Sequence, residues 1–431
     1  MVKLWLWTDT GPSGHGTVGR EFVKHLLPHK DEVQLAVYTH QWGMPFKPPK
    51  ELGMHGFPDE RMEKDMLESG RIGKGYLLEK LRDIRYRDKH LLNDVVTMTT
   101  ENKEQDLMIM DFDEIEDVSM CIGGLDMVKG LPKDSKYKIG ETCFNPIRIP
   151  DKWLELGDFC DEVWLPNEWN KKVFLAHPDL KYEDKLKVIP YGIEFWEPQK
   201  QELVPKLNDD TFTFVCASRW ANMKGWDVLL DAFIEEFYKH EKVRLFIKTT
   251  LNQQVSLNDG LVAKSIQDLI RKKKIPDPPE IGISTRPYSY QDMFDLYGAC
   301  DCAVLPHRAE GVGRFQAESM GAGLPLITTD WGGPAEFINK ENSLPLKYSE
   351  PEQVKKVCEW TWFYKNEFGD DGMLWVEPDK EHLQAQMRKV FEMSKEKRDA
   401  IGKKASETVR KHFDWNIHLN TRLNRLKEVS K

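Results

Sequence analysis

Nothing in this chain of 431 residues approaches the apolar run of about 20 residues that crosses a bilayer. The opening MVKLWLW stops at Thr8-Asp9, too short for a signal peptide or a span, and neither an internal repeat nor a low-complexity tract follows. A cytoplasmic protein is the expectation. The seven cysteines, at 121, 143, 160, 216, 300, 302 and 358, form no C-x-x-C pair and lie in apolar contexts such as FVCAS and GACDCAV. That usage argues against a disulfide framework or a zinc site and fits buried thiols in a reducing compartment. An excess of positive charge is missing too. With a formal charge of -9 at pH 7, the chain lacks the basic face that neutralising nucleic-acid phosphates requires, so no nucleic-acid partner is expected.

What the chain has is a globular composition, 40% hydrophobic and 31% charged, at a length that one small core does not absorb. Two domains are expected. Short β-rich apolar runs alternate with helical patterns, which marks parallel α/β layers. In the first half the strands read KLWLW (3–7), VQLAVY (33–38), LMIM (107–110), KYKIG (136–140) and EVWLP (162–166), with helices in VGREFVKHLL and EWNKKVFLAH. In the second half FTFVCAS, VRLFIKT, EIGIS, CAVLPH and PLITT alternate with WDVLLDAFIEEFYK, AKSIQDLIRKKK, YQDMFDLYGA and QAESMGAG. The polar, proline-bearing stretch VIPYGIEFWEPQKQELVPK joins the two series. The predicted fold class is α/β, two Rossmann-like domains facing a cleft, with residues 1–195 in the first and 196–411 in the second.

The sharpest local feature is EGVGRFQAE, in which Glu310 and Glu318 bracket two glycines ahead of a helix start. Gly311 and Gly313 let the backbone come close to a ligand, and the amides that follow stand at the positive end of a helix. Gly311, Val312, Gly313, Arg314 and Phe315 are therefore candidates for holding an anionic group. The glycines break any continuous helix, so Glu310 sits in a loop and Glu318 about one turn inside the helix, each placed to accept from hydroxyls. Surface carboxylates are ordinarily just solvated. The order of the strands CAVLPH before this pair and PLITT after it raises it above that default by its resemblance to a known family. Upstream, ASRWANMKGWDVLLDAF sets Arg219 and Lys224 between a strand and a helix, at the sheet edge where open α/β folds bind ligands. Cations fixed there stabilise the charge that grows on an anionic leaving group.

Two other motifs carry less. GPSGHGTVGREF (11–22) satisfies the bare G-x-G-x-x-G spacing at Gly14, Gly16 and Gly19, but the next strand ends in Thr39, His40 and Gln41, with no carboxylate for a ribose. NAD binding is disfavoured. Asp111-Phe112-Asp113 has the chemistry to hold a hard cation. It continues as the acidic run DFDEIED, which equally suits a helix start, and no metal is expected.

The Glu-x7-Glu pair of Glu310 and Glu318, with Arg219 and Lys224, resembles the nucleotide-sugar half of retaining glycosyltransferases of family 4. CDEVWLPNEWNKKVF and KVIPYGIE are similar to the end of that family's first domain, and FDWN (413–416) to the element before its last helix. The resemblance implies the GT-B fold, with residues 412–431 crossing back onto the first domain. It also implies transfer of a sugar from a nucleoside diphosphate to a hydroxyl acceptor, with no cofactor or metal. By the same resemblance Glu318 holds the ribose hydroxyls, Glu310 faces the donor sugar, and Arg219 and Lys224 meet the diphosphate. The loop after the first strand then reaches the donor, with Gly16 as its contact and His15 either a bystander or an acceptor contact.

Where that family often carries a histidine followed by threonine, this chain has Glu141-Thr142. Glu141 is read either as a catalytic-site residue that bonds sugar or acceptor, or as a buried carboxylate paired with Arg148. A segment similar to one that usually follows GGPAEFI closely arrives only at 372, so an aromatic-rich insertion is read near 340–371. Its Trp360, Trp362, Phe363 and Tyr364 are expected to pack rather than bind. The donor base, whether of a UDP-, GDP- or ADP-linked sugar, leaves little side-chain signature, because its selection in the resembled fold rests largely on backbone near GISTRPY (282–288). YLLEKLRDIRYRDKHLL (76–92) leaves a peripheral membrane contact open, although Glu79, Asp83 and Asp88 favour an ordinary surface helix. Two alternatives to a transferase stand: a nucleotide-sugar epimerase of the same fold, and a noncatalytic nucleotide- or glycan-binding subunit.

Overall fold

The computed structural model describes residues 1–9, 14–40, 117–131, 135–199, 210–250, 259–285, 288–353 and 374–431. The strand read at 107–110, Asp111, Asp113, the amphipathic stretch 76–92 and the aromatic residues 360–364 lie outside them. The chain divides into two compact units. One comprises Met1–Cys143, Asp151–Glu194 and Phe413–Lys431; the other comprises Phe144–Pro150 and Phe195–His412.

The first unit is built on a parallel sheet in the order β2-β1-β3-β4-β5-β6. Its strands are β1 (Val2–Asp9), β2 (Val33–His40), β3 (Val118–Ile122), β4 (Tyr137–Glu141), β5 (Glu162–Leu165) and β6 (Leu186–Val188). Leu4, Trp5, Leu6 and Trp7 are all buried, as a parallel strand covered on both faces requires. The helix Gly14–Leu26 follows β1, and a Cβ at Gly19 would stand 1.9 Å from Thr8 Oγ1. That glycine serves close helix-to-strand packing. The segment after the acidic run continues as a strand, β3, and not as the helix that run suggested. All five of its residues are buried between β1 and β4, so the sheet, rather than local pattern, dictates its conformation.

The C-terminal helix Trp415–Val429 belongs to this unit. Trp415 stacks 4.7 Å from the His25 ring and donates to Glu21 Oε2 at 3.1 Å. Arg422 is fully buried and donates to both Glu141 oxygens, at 2.8 and 2.7 Å, and to the Pro190 carbonyl at 3.0 Å. The partner of the buried Glu141 is therefore Arg422, not Arg148.

The second unit holds another parallel sheet, in the order β12-β11-β10-β7-β8-β9. Its strands are β7 (Phe212–Arg219), β8 (Val243–Thr250), β9 (Glu280–Ser284), β10 (Cys302–Leu305), β11 (Leu326–Thr329) and β12 (Leu344–Leu346). β12 lies within the stretch read as inserted from 340, yet it pairs with β11 as an edge strand of the sheet. Strand order reverses between β7 and β10. At such a switch point the loops leaving adjacent strands diverge to opposite faces and open a crevice at the carboxyl ends.

Candidate functional site

β7 delivers Arg219 to its exposed carboxyl end, and a short 3-10 turn, Asn222–Lys224, leads into the helix Trp226–Glu236. Gly225 joins turn to helix at φ 67°, where a Cβ would lie 1.8 Å from the Pro306 carbonyl oxygen. Only glycine fits. The turn is thereby pressed against the segment that leaves β10, and the Arg308 amide donates to the Met223 carbonyl at 2.8 Å. The Arg308 side chain, 3% exposed, fixes the turn from beneath. It makes paired bonds to Asp227, at 2.7 and 2.9 Å, and to Glu377, at 2.6 and 2.7 Å, and donates to the Asn222 carbonyl at 2.6 Å. Burial opposes its charge, but the two carboxylates prevail and raise its pKa.

This framework brings Lys224 Nζ onto Glu310 Oε2, with the two side chains 15% and 14% exposed. Burial pushes the Glu310 carboxyl up, yet the Lys224 ammonium and the Gly311 amide hold it below the ordinary carboxylate value. Glu310 is thus ionised at neutral pH. Asn145 Oδ1, from the Phe144–Pro150 segment of the same unit, accepts from the Gly311 amide at 2.8 Å. Gly333 donates to the Glu310 carbonyl at 2.9 Å, and a Cβ on Gly333 would come within 2.1 Å of the Gly311 carbonyl oxygen. Gly313, at φ 90°, starts the helix Arg314–Gly321 with no side-chain cap. The leading amides form the positive end of that helix, and the glycine at its cap position offers them no side-chain oxygen.

His307 is fully buried under this loop. The Trp331 carbonyl, 3.0 Å from Nε2, can only accept, so Nε2 carries the hydrogen and Nδ1 accepts from the Gln316 amide at 3.3 Å. Burial lowers its pKa, so the ring is neutral. Glu318 lies just over one turn into the helix, its side chain 10% exposed. Tyr290 OH and Arg314 Nε both donate to Oε1 at 3.2 Å, and Tyr297 OH donates to Oε2 at 3.2 Å. Burial and the Glu318 charge push the Tyr297 hydroxyl well up, which keeps it a donor. Phe315 packs edge-on against the Tyr297 ring, 6.0 Å between centroids.

Arg219, Lys224, Glu310, Gly311, Val312, Gly313, Arg314, Phe315 and Glu318 thus all belong to the β7 and β10 end of the second unit. Glu141 and Gly16 belong to the first unit, Glu141 held by Arg422 and Gly16 buried in the helix after β1. The side chain of His15 is outside the described residues. Sequence reasoning missed Arg308, His307, Asn145, Tyr290 and Tyr297. The polar end of CAVLPHR was the one available signal, since a parallel core strand running into His-Arg marks a sheet edge where charge is used.

Residues 210–360 match the family model described as glycosyl transferases group 1. The matched stretch contains Arg219, Lys224, Glu310 and Glu318. The chain is 27% identical over 163 residues to the uncharacterized glycosyltransferase 335 of Sulfolobus islandicus rod-shaped virus 1, covering 36% of this chain and 43% of that protein. It is 25% identical over 134 residues to the uncharacterized glycosyltransferase MJ1178 of Methanocaldococcus jannaschii, covering 31% and 33%. A 213-residue stretch is also 25% identical to talin-1 of Gallus gallus, covering 43% of this chain and 8% of talin-1. The chain spans less than half the length of each of these relatives. Among solved structures, Alr3699/HepE of Anabaena in complex with UDP and glucose superposes with a TM-score of 0.60 at 14% identity, covering 99% of this chain and 100% of that one. The fold is that of the GT-B glycosyltransferases, two α/β domains each on a six-stranded parallel sheet. Among the described residues no helix is long and apolar enough to cross a membrane. Nor, among them, do three or more His, Cys, Asp or Glu side chains gather as a metal site would need.

Proposed function

We propose that this chain is a retaining glycosyltransferase of family 4 that moves a hexosyl group from a nucleoside-diphosphate sugar to a hydroxyl acceptor. What carries the reading is the Lys224–Glu310 pair at the switch point of the second sheet, beside the glycine turn into Arg314–Gly321. The match to glycosyl transferases group 1 over this segment supports it, as does a structural neighbour that binds UDP and glucose.

Each residue then has a role its geometry suits. The amides after Gly313, with Lys224 and Arg219, take the diphosphate. As the glycosidic bond breaks, its electron pair moves onto the phosphate oxygen, and these fixed positive groups meet the added charge without reorganising. Glu310, ionised, accepts from hydroxyls of the donor sugar, and Lys224 turns from it to the phosphate when the donor arrives. Glu318, steadied by two tyrosine hydroxyls and Arg314, accepts from the ribose. The acceptor hydroxyl attacks on the face the diphosphate leaves and gives its proton to the departing phosphate oxygen, so the anomeric configuration is retained. No divalent metal is required in this scheme.

The test is turnover of UDP-, GDP- and ADP-sugars against a panel of hydroxyl acceptors, with and without EDTA, the product anomer being read by NMR. A new glycoside of the donor's own configuration, formed equally with EDTA, is the expected result. An inverted product overturns retention, and activity restored only by manganese or magnesium overturns the metal-free scheme. Acceptor-free conversion to an epimerised sugar would make the protein an epimerase.

A further inference from the structure

The second sheet also carries polar side chains that the diphosphate site leaves unused. Lys248, near the carboxyl end of β8, is only 6% exposed. Its ammonium stands 5.1 Å over the centre of the Tyr288 ring and 3.4 Å from the Thr249 carbonyl oxygen. A buried cation is kept over an aromatic face at the cost of its hydration. Ser284, the last residue of β9, is the register partner of Lys248, so the two side chains leave the same face of the sheet. Ser284 is 5% exposed. Its hydroxyl and that of Tyr288 are both buried and, among the described residues, have no hydrogen-bond partner. Folded proteins rarely leave buried hydroxyls unpaired unless something else is to meet them.

The placement says what that is. Tyr288 precedes Tyr290 by two residues, and the Tyr290 hydroxyl lies 3.2 Å from Glu318. In the sheet, β8 and β9 lie beyond β7 on the side away from β10. A ligand with its diphosphate at the switch point and its ribose on Glu318 therefore has these strand ends for whatever the ribose carries.

We propose that Lys248, Ser284 and Tyr288 read the base of the donor and select one with a carbonyl beside a ring N–H, uracil or guanine, over adenine. This rests on the nucleotide-sugar reading above. An ammonium can only donate, and a ring carbonyl only accepts. The hydroxyls can each donate to that carbonyl or accept from the adjacent N–H. Adenine reverses that order, with an exocyclic amine in place of the carbonyl and a ring acceptor in place of the N–H, so an ammonium placed for the carbonyl has no acceptor in register. A site built to hydrogen-bond one group rejects an analogue that lacks it far better than an apolar pocket rejects an isostere. Side chains, and not backbone alone, then set the base.

Dissociation constants for UDP, GDP and ADP, measured by calorimetry on the full chain and on Lys248→Met, Ser284→Ala and Tyr288→Phe, test the assignment. UDP or GDP should bind at least about tenfold more tightly than ADP, the order of one charge-assisted hydrogen bond. Lys248→Met should weaken that nucleotide about tenfold and leave ADP unchanged, so that the preference disappears. ADP binding as tightly as the others, or an equal loss for all three in Lys248→Met, overturns base reading and leaves the donor site standing. Should Lys248→Met not fold, a preference undiminished in both Ser284→Ala and Tyr288→Phe overturns it equally. Failure of all three nucleotides to bind the unaltered chain sinks the donor site and this assignment with it.

Discussion

Replacing Arg422 by methionine separates two jobs that Glu141 could have. Methionine keeps much of the buried stem and removes the guanidinium. Glu141, 2% exposed, then loses donors at 2.8 and 2.7 Å and is left buried without its counter-charge. Breaking one side of a buried pair in this way costs about 3–5 kcal/mol. For a folding unit of about 150–250 residues each kcal/mol moves the melting temperature by about 2–4 °C, so Arg422→Met should melt about 6–20 °C lower. Replacing both partners with apolar residues should recover much of that loss, because no buried charge is then left unpaired. Melting followed by circular dichroism, with turnover measured well below the transition, decides the matter. A variant that melts within about 2 °C of the parent while its turnover collapses would refute the reasoning, and would return Glu141 to the substrate.

Three further outcomes are expected. Lys224→Ala and Arg219→Ala should each slow single turnover at saturating donor by roughly ten- to a hundredfold, while Glu318→Gln chiefly raises the donor KM; normal chemical rates in both cation variants would remove them from the mechanism. Gly225→Ala places a methyl 1.8 Å from the Pro306 oxygen at a positive φ, and should destabilise by more than about 1 kcal/mol and abolish nucleotide-induced stabilisation, so an unchanged melting curve would contradict the packing described. His307 has its folded pKa lowered by burial from an ordinary 6.5, so the stability it contributes is complete above that value and declines as pH falls towards the folded one. Melting temperature should drop between pH 7 and 5, and a slope identical in His307→Gln would show that this ring is not the cause.

The alternation of apolar strands with helices was legible because parallel strands covered on both faces must be nearly all apolar, as FTFVCAS and CAVLPH are. Glu310 and Glu318 were legible for a local reason: glycines at 311 and 313 have little use except close approach and positive φ, and Gly313 shows the latter. What escaped depends on contacts far apart in the chain. Arg422 and Glu141 are 281 residues apart, and no local pattern selects Arg422 over the nearer Arg148. Arg308 reaches Asp227 and Glu377 across spans of 81 and 69 residues. VSMCI was hidden by the acidic run before it, since its strand state comes from neighbours on either side. Nothing in the helical run YQDMFDLYGA sets Tyr290 and Tyr297 apart from core aromatics; only the bonds of their hydroxyls to Glu318 do.

Residues 413–431 lie with 1–143 and 151–194, which gives synthesis an order. A ribosome will have released every residue of the second unit before it delivers Trp415 and Arg422 to the first. Until then the earlier-made segment carries Glu141 without its counter-ion and Gly192 without the indole that lies against it. No single cut near residue 195 could therefore yield two self-sufficient halves, and a chain shortened by its last twenty or so residues would be damaged at its beginning.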